Sequence, residues 1–229
     1  PFTPGHHLLR VAVKGRAIPD AKLPPRNLVF LLDVSGSMAS SDKLDLLKSA
    51  MHRLTDTLRP HDRVAIVVYA GSAAVALDPT SGARKARIHA HIDALRAGGS
   101  TNGSGGIELA YQLAAQNFDA DKINRIILGT DGDFNVGPQS DAEMVKLIER
   151  KRDTGVYLSV LGVGTGNLKD SKMEQIADHG NGNYAYLDGL EEAHRVLVTE
   201  SEETTVTVAK DVKVQIEFDP RRVRSYRQI

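Results

Sequence analysis

Residues 27–38 read Asn-Leu-Val-Phe-Leu-Leu-Asp-Val-Ser-Gly-Ser-Met, and this stretch decides the fold. Residues 28–32 form a continuous apolar run, which is typical of a strand buried on both faces of a sheet. A polar turn follows at once, with Asp33, Ser35 and Ser37 at alternating positions. In open α/β sheets, ligands bind beyond the carboxyl ends of the strands. The stretch therefore predicts a buried strand that leads directly into a binding site.

Outward from this stretch, short apolar runs alternate with amphipathic helical patterns as far as Gly189. The pattern predicts strands at residues 64–69, 125–128, 156–161 and 184–187, with a short hairpin partner at 73–77. It predicts helices at residues 44–58, 81–95, 107–114, 173–177 and 190–198, and one that begins at a Ser140–Glu143 capping box. This alternation predicts an α/β fold, in which helices flank a doubly wound, mostly parallel, Rossmann-like sheet.

The two ends of the chain have a different pattern. Apolar and polar residues alternate at 9–13, and again at 206–208 and 212–218. Alternation of this kind predicts half-buried strands. We therefore expect one domain at 24–202, with flanking β segments at 1–23 and 203–229 that pair into a small appendage. The first residues are neither an initiator Met nor a signal peptide, so we expect the chain to be a fragment of a longer protein.

Composition excludes several classes of function. Lys plus Arg equals Asp plus Glu, so the net charge is zero and nothing favours a nucleic-acid partner. Cysteine is absent, which excludes disulfides, thiolate catalysis and thiolate metal sites. No apolar run approaches the ~18 residues of a transmembrane helix, so we expect no membrane insertion by this chain.

Five oxygen-bearing side chains on three loops suggest a metal site. Asp33, Ser35 and Ser37 share one turn, Thr101 lies in the loop at 98–106, and Asp131 follows another buried strand. Carboxylate and hydroxyl oxygens are hard ligands that suit Mg²⁺ or Mn²⁺. The alternative for the first turn is that its side chains only cap the next helix. The other two segments favour the metal site.

These three motifs, Asp-x-Ser-x-Ser, Gly-Ser-Thr and Thr-Asp-Gly, together resemble the metal-ion-dependent adhesion site of von Willebrand factor A domains. The resemblance covers about 24–200 and is greatest to a bacterial, cell-envelope branch. It implies direct binding of the ion by Ser35 and Ser37, direct or water-mediated binding by Asp33 and Asp131, and a switchable ligand at Thr101. It also implies Mg²⁺, or Mn²⁺ or Ca²⁺, as cofactor and an extracytoplasmic or envelope location.

The implied function is metal-dependent adhesion or scaffolding. The two carboxylates cancel the charge of a divalent ion, and one replaceable position then accepts a Glu or Asp from a protein partner. The alternative is a regulatory or assembly subunit that couples metal binding to an enzymatic complex. We expect Asp33→Ala to abolish metal binding and leave the fold intact, because the site should be exposed.

We do not expect an enzyme. Neither Ser35 nor Ser37 lies in a Gly-x-Ser-x-Gly motif, and the glycine-rich segment at 162–166 lacks the lysine of a phosphate-binding loop. The eight histidines are expected to be solvated surface residues. Asp133 is either a hydrogen-bond acceptor behind the site or a solvated turn residue, and Asn102 either orients Thr101 or serves the turn.

Overall fold

A computed structural model describes residues 7, 9–12, 23–133, 141–164, 170–199 and 213–227. The strands are β1 (Arg26–Asp33), β2 (Arg63–Tyr69), β3 (Ala73–Ser81), β4 (Ile123–Thr130), β5 (Tyr157–Val163) and β6 (Asn181–Leu187). The α-helices are α1 (Leu46–Asp56), α2 (Lys85–Asp93), α3 (Gly103–Gln116), α4 (Asp141–Arg152), α5 (Asp170–His179) and α6 (Leu190–His194). Short helical turns at Gly36–Ala39 (3₁₀), Ser41–Asp45 (π), Gly82–Arg84 (3₁₀) and Arg195–Thr199 (π) complete the elements.

The strands form one sheet in the order β3-β2-β1-β4-β5-β6, in which only β3 runs antiparallel to its neighbour. This arrangement confirms the predicted doubly wound α/β fold. The chain winds from β1 toward one edge of the sheet and then from β4 toward the other. The reversal in direction lies between β1 and β4, and this is the point at which open α/β sheets bind ligands.

The alternating residues of β1 divide between two cores. Leu28, Phe30 and Leu32 pack with α1, α2 and α6 on one face of the sheet. Val29 and Leu31 pack with α3, α4 and α5 on the other. Because both faces are covered, residues 28–32 of the central strand are all apolar, as the sequence predicts.

An ion cluster fixes the amino-terminal end of β1. Asp62 is fully buried and accepts hydrogen bonds from the backbone and guanidinium groups of both Arg26 and Arg59. Burial alone would raise the pKa of Asp62, but these hydrogen bonds outweigh it and hold the pKa below its ordinary value. We call these three residues the arginine–aspartate cluster.

The predicted end of the hairpin strand at residue 77 and the predicted start of the next helix at residue 81 are both wrong. The segment around Ser81 is not the start of a long helix, because β3 runs on to Ser81 and α2 begins only at Lys85. Pro79 lies within this edge strand, where the pairing with β2 is interrupted by shifts of register. Proline is tolerated at edges and bulges because no ladder hydrogen bond is lost there.

The chain divides into two units, Ile18–Val206 and a second unit made of Pro1–Ala17 with Thr207–Ile229. In the described parts of the second unit, residues 9–12 and 213–218 are not in strands. Residues 13 and 206–212 lie outside the described residues, so the pairing of the predicted β segments stays a prediction. Ser140, the predicted cap of α4, also lies outside them. In the described part of the chain, no helix is long and apolar enough to cross a membrane.

Candidate metal centre

Asp33 is the centre of a buried hydrogen-bond network at the end of β1. Its Oδ1 accepts the Ser35 backbone N–H at 2.9 Å, and its Oδ2 accepts the hydroxyls of Tyr69 and Thr130, each at 3.1 Å. Tyr69 is the last residue of β2 and stands opposite Asp33 in the strand register, and Thr130 is the last residue of β4. Three adjacent strand ends therefore orient one carboxylate.

Asp33 is fully buried, which corrects the expectation that the site is exposed. The cause is its place on the central strand, where its carboxylate is enclosed by Ser35 and by the last residues of the two neighbouring strands, Tyr69 and Thr130. Burial raises the pKa of Asp33, the nearby Asp131 charge adds to the rise, and the hydrogen bonds from Ser35 and Tyr69 oppose it. Asp33→Ala would also leave two buried hydroxyls without their acceptor, so the variant is a poor test of metal binding alone.

Ser35 and Ser37 bring their hydroxyls together on the turn after β1, where the two Oγ atoms are 3.1 Å apart. The Gly36 N–H between them donates to the Gly99 carbonyl at 2.9 Å. A Cβ at Gly36 would lie 3.2 Å from that oxygen, so glycine permits the close approach of the two loops. The turn and the loop at 98–102 are thus joined through their backbones, and the predicted loop at 98–106 ends early because α3 begins at Gly103.

The loop that carries Thr101 is attached at both ends to the strands of the site. Gly98 donates its N–H to the Val34 carbonyl at 2.8 Å, and Asn102 donates to the Ala70 carbonyl at 2.6 Å. The Asn102 side chain caps α3 by accepting the Gly105 N–H at 3.3 Å. The Asn102 side chain therefore caps the helix, and these backbone hydrogen bonds hold the loop that carries Thr101 next to the turn after β1.

Asp131 follows β4 and is nearly buried. Its Oδ2 accepts a hydrogen bond from Lys43 Nζ at 2.9 Å, and its Oδ1 accepts the Asp133 backbone N–H at 3.1 Å. The contact of Asp133 with Asp131 is therefore made by its amide, while its side chain is exposed. Gly132 allows this turn because its φ is +84°.

Three residues of the site were not predicted from the sequence. Tyr69 is the last residue of the predicted strand at 64–69, and Thr130 belongs to the Thr-Asp-Gly motif that follows the predicted strand at 125–128, so their positions were a usable signal. Lys43 comes from an irregular turn after the first motif, and no spacing rule singles it out. All three contact a carboxylate that was predicted.

The donor set fits a hard divalent cation. Two carboxylates, two adjacent hydroxyls and a loop with a further hydroxyl offer only oxygen atoms, which suit Mg²⁺, Mn²⁺ or Ca²⁺. Among the described residues, no three His, Cys, Asp or Glu side chains group in a way that could hold a metal. An ion would therefore need the serine and threonine hydroxyls and water as well as Asp33 and Asp131. The ammonium of Lys43 shows that positive charge is favourable beside Asp131.

Some histidines are less solvated than expected, although they lie on the helices α1 and α2, away from these strand ends. The rings of His52 and His89 meet edge to face with centroids 4.4 Å apart. His52 Nε2 lies 2.8 Å from Asp93, and His89 Nε2 lies 3.2 Å from Asp56. These contacts join the two helices.

Known protein families match most of this sequence. The family model described as von Willebrand factor type A domain matches residues 27–202. The chain belongs to the von Willebrand factor A family. A second model, described as "Uncharacterized protein YfbK, C-terminal", matches residues 203–229. The von Willebrand factor A match contains every strand of the sheet except the first residue of β1.

One similar protein matches the chain over its whole length. The chain is 48% identical over 229 residues to the protein YfbK of Escherichia coli K12, covering 100% of this chain and 40% of that relative. It therefore spans about two fifths of that protein's length.

Two solved structures share the fold at low sequence identity. One is proximal thread matrix protein 1 from the mussel byssus with a zinc-occupied MIDAS motif (TM-score 0.60, 21% identity, 76% of this chain and 46% of that one). The other is an aerotolerance-related membrane protein from Bacteroides fragilis (TM-score 0.63, 22% identity, 78% and 99%).

Proposed function

We propose that this von Willebrand factor A domain is a protein-interaction module rather than an enzyme, and that it holds a divalent ion through Asp33, Ser35, Ser37, Thr101 and Asp131. One observation carries the proposal. Two carboxylates lie at the strand ends on either side of the sheet's reversal point, beside a pair of hydroxyls that contact each other. Such a set balances the charge of a divalent ion and leaves coordination positions to water.

The replaceable water positions define the partner's chemistry. A Glu or Asp side chain of a partner protein supplies an anionic oxygen that gains from direct contact with the ion. We propose Mg²⁺ as the ion, with Mn²⁺ or Ca²⁺ as substitutes. Mg²⁺ should bind weakly, because it loses its waters reluctantly and meets few charged ligands here.

The cell envelope is the proposed location. It is supported by the similar fold of a protein described as an aerotolerance-related membrane protein.

The test is calorimetric titration of Mn²⁺ and Mg²⁺ into the wild type and two variants. Asp33→Asn retains the size of the side chain and removes its charge, so we expect it to lose metal binding with its circular dichroism spectrum unchanged. Asp133→Ala removes an exposed carboxylate two residues from Asp131 and should bind Mn²⁺ within about threefold of wild type, because rim charges contribute little.

The proposal fails if Asp33→Asn binds Mn²⁺ as tightly as wild type. In a separate partner assay, an immobilised acidic peptide should retain the wild-type protein in Mn²⁺ and release it when a chelator is added. Retention that ignores the chelator would contradict a shared metal ligand.

A further inference from the structure

Lys43 is a positive charge built into the candidate metal centre. It lies in the π turn Ser41–Asp45, and its Nζ donates to Asp131 Oδ2 at 2.9 Å and to the Ser37 carbonyl at 3.0 Å. The Lys43 side chain is 22% exposed and that of Asp131 only 3%. The ammonium therefore connects two of the three segments that supply the proposed ligands.

The aliphatic part of Lys43 is held in place by the backbone after β5. A Cβ at Gly164 would lie 2.8 Å from both Cγ and Cε of Lys43, so the chain passes directly over this glycine. Gly164 has a φ of +91°, and its carbonyl accepts the Tyr186 hydroxyl at 3.0 Å. The contact with the Gly164 backbone thus positions the ammonium, which is not a freely moving surface charge.

The charges of the site conflict once an ion enters. Asp33 and Asp131 together carry two negative charges, which one divalent ion balances. Lys43 already occupies one oxygen of Asp131, and repulsion between an ammonium and a doubly charged ion a few ångströms away is strong in a site shielded from water. Lys43 and a bound ion therefore cannot both contact the Asp131 carboxylate at close range.

We propose that Lys43 is an internal competitor of the metal: it neutralises Asp131 in the metal-free domain and is displaced when a divalent ion binds. This inference rests on the proposed metal site. Its consequence is regulatory, because the lysine raises the ion concentration at which the domain becomes able to bind an acidic partner.

The first experiment compares Lys43→Met with wild type by calorimetric titration of Mn²⁺. Methionine retains most of the aliphatic chain and removes the charge. We expect the variant to bind Mn²⁺ about tenfold more tightly, because the ion no longer has to break a partly buried ion pair to reach Asp131. We also expect a lower Tm in the absence of metal, because that ion pair is lost. Lys48→Met is the matched control, because among the described residues Lys48 Nζ donates to the carbonyl of the exposed Asp93, at 3.2 Å, and lies in no carboxylate ion pair. It should change neither quantity.

The opposite signs of these two effects exclude a merely structural role. A lysine that only supports the fold would, when removed, lower the Tm and leave Mn²⁺ affinity equal or weaker. That result in Lys43→Met, with Mn²⁺ binding to wild type intact, overturns the inference but leaves the metal site standing. If neither protein binds Mn²⁺, the proposed metal site is itself wrong, and the inference falls with it.

A second measurement uses the wild type alone and so does not depend on a variant that folds. Reductive methylation with formaldehyde, followed by mass spectrometry, reports how accessible each lysine amine is. Saturating Mn²⁺ should increase the modification of Lys43 several-fold and leave Lys48 unchanged. Equal or reduced modification of Lys43 while Mn²⁺ is bound would overturn the displacement.

Discussion

Tyr69→Phe removes one hydrogen-bonding hydroxyl from the centre of the site and changes little else. The Tyr69 side chain is fully buried, and its hydroxyl donates to Asp33 Oδ2 at 3.1 Å. Phenylalanine retains the ring that packs against Gly106. A hydrogen bond to a charged acceptor contributes about 1.5–3 kcal/mol. We therefore expect the free energy of unfolding to fall by about 2 kcal/mol, which lowers the Tm by roughly 4–8 °C in a domain of this size.

The same change should weaken metal binding. Tyr69 lowers the pKa of Asp33, so its loss raises that pKa further and leaves the carboxylate oriented by fewer donors. Outer-shell partners of metal ligands typically contribute 10–100-fold in affinity. We expect Mn²⁺ to bind about tenfold more weakly at pH 7.5, measured by calorimetry beside urea unfolding.

Tyr111→Phe is the matched control. Its hydroxyl is also buried in the same core but has no hydrogen-bond partner among the described residues. Removing it should leave Mn²⁺ affinity unchanged and stabilise the domain by up to about 1 kcal/mol. The reasoning is refuted if Tyr69→Phe matches wild type in both stability and affinity, or if the two variants lose equal stability.

Two further variants test the amino-terminal end of β1 and the packing against Tyr69. Asp62→Asn, in the arginine–aspartate cluster, should lose about 3 kcal/mol of stability at pH 7. The pKa of Asp62 is lowered in the folded state, so its contribution to stability is fully present above the unfolded value near 3.9 and is lost as the pH falls through the folded value. Urea unfolding should therefore show the gap to wild type narrowing as the pH falls below about 4. A gap that stays equally wide above and below pH 4 would contradict this. Gly106→Ala places a Cβ 2.9 Å from the Tyr69 ring and should weaken Mn²⁺ binding measured by calorimetry. Gly105→Ala is the control, because its Cβ meets only atoms at 3.5 Å or more, and it should leave Mn²⁺ affinity unchanged. Equal Mn²⁺ affinities for the two variants would refute the role of Tyr69.

The sequence was sufficient for the fold because its signals are local. Each buried strand is an apolar run, and the polar residues that follow β1 and β4 mark their carboxyl ends. The extent of β3 was not predictable in the same way. Its pairing past Pro79 depends on a register shift against β2, which is a property of two strands together.

The candidate site likewise contains residues that local motifs predict and residues whose roles depend on contacts between separate segments. Asp33, Ser35 and Asp131 were found because they follow predicted strands in recognisable motifs. The role of Tyr69 depends on the register that sets it opposite Asp33, and that of Lys43 on a π turn with no sequence signature. The burial of Asp33 was missed because a strand end next to a polar turn predicts exposure, and the last residues of the two neighbouring strands decide otherwise.

The winding of the sheet explains why negative charge gathers at this site. Starting new windings from β1 and β4 places their carboxyl ends side by side, so Asp33 and Asp131 are neighbours by topology. Burial raises the pKa of Asp33, and the neighbouring charge of Asp131 adds to the rise. Donors from Tyr69, Thr130 and the backbone offset part of it, and Lys43 offsets part at Asp131. An ammonium carries only one charge against two carboxylates, so the metal-free site retains an excess of negative charge that a divalent ion would remove. The arrangement that makes the site unfavourable on its own is therefore the one that would give the proposed divalent ion its binding energy.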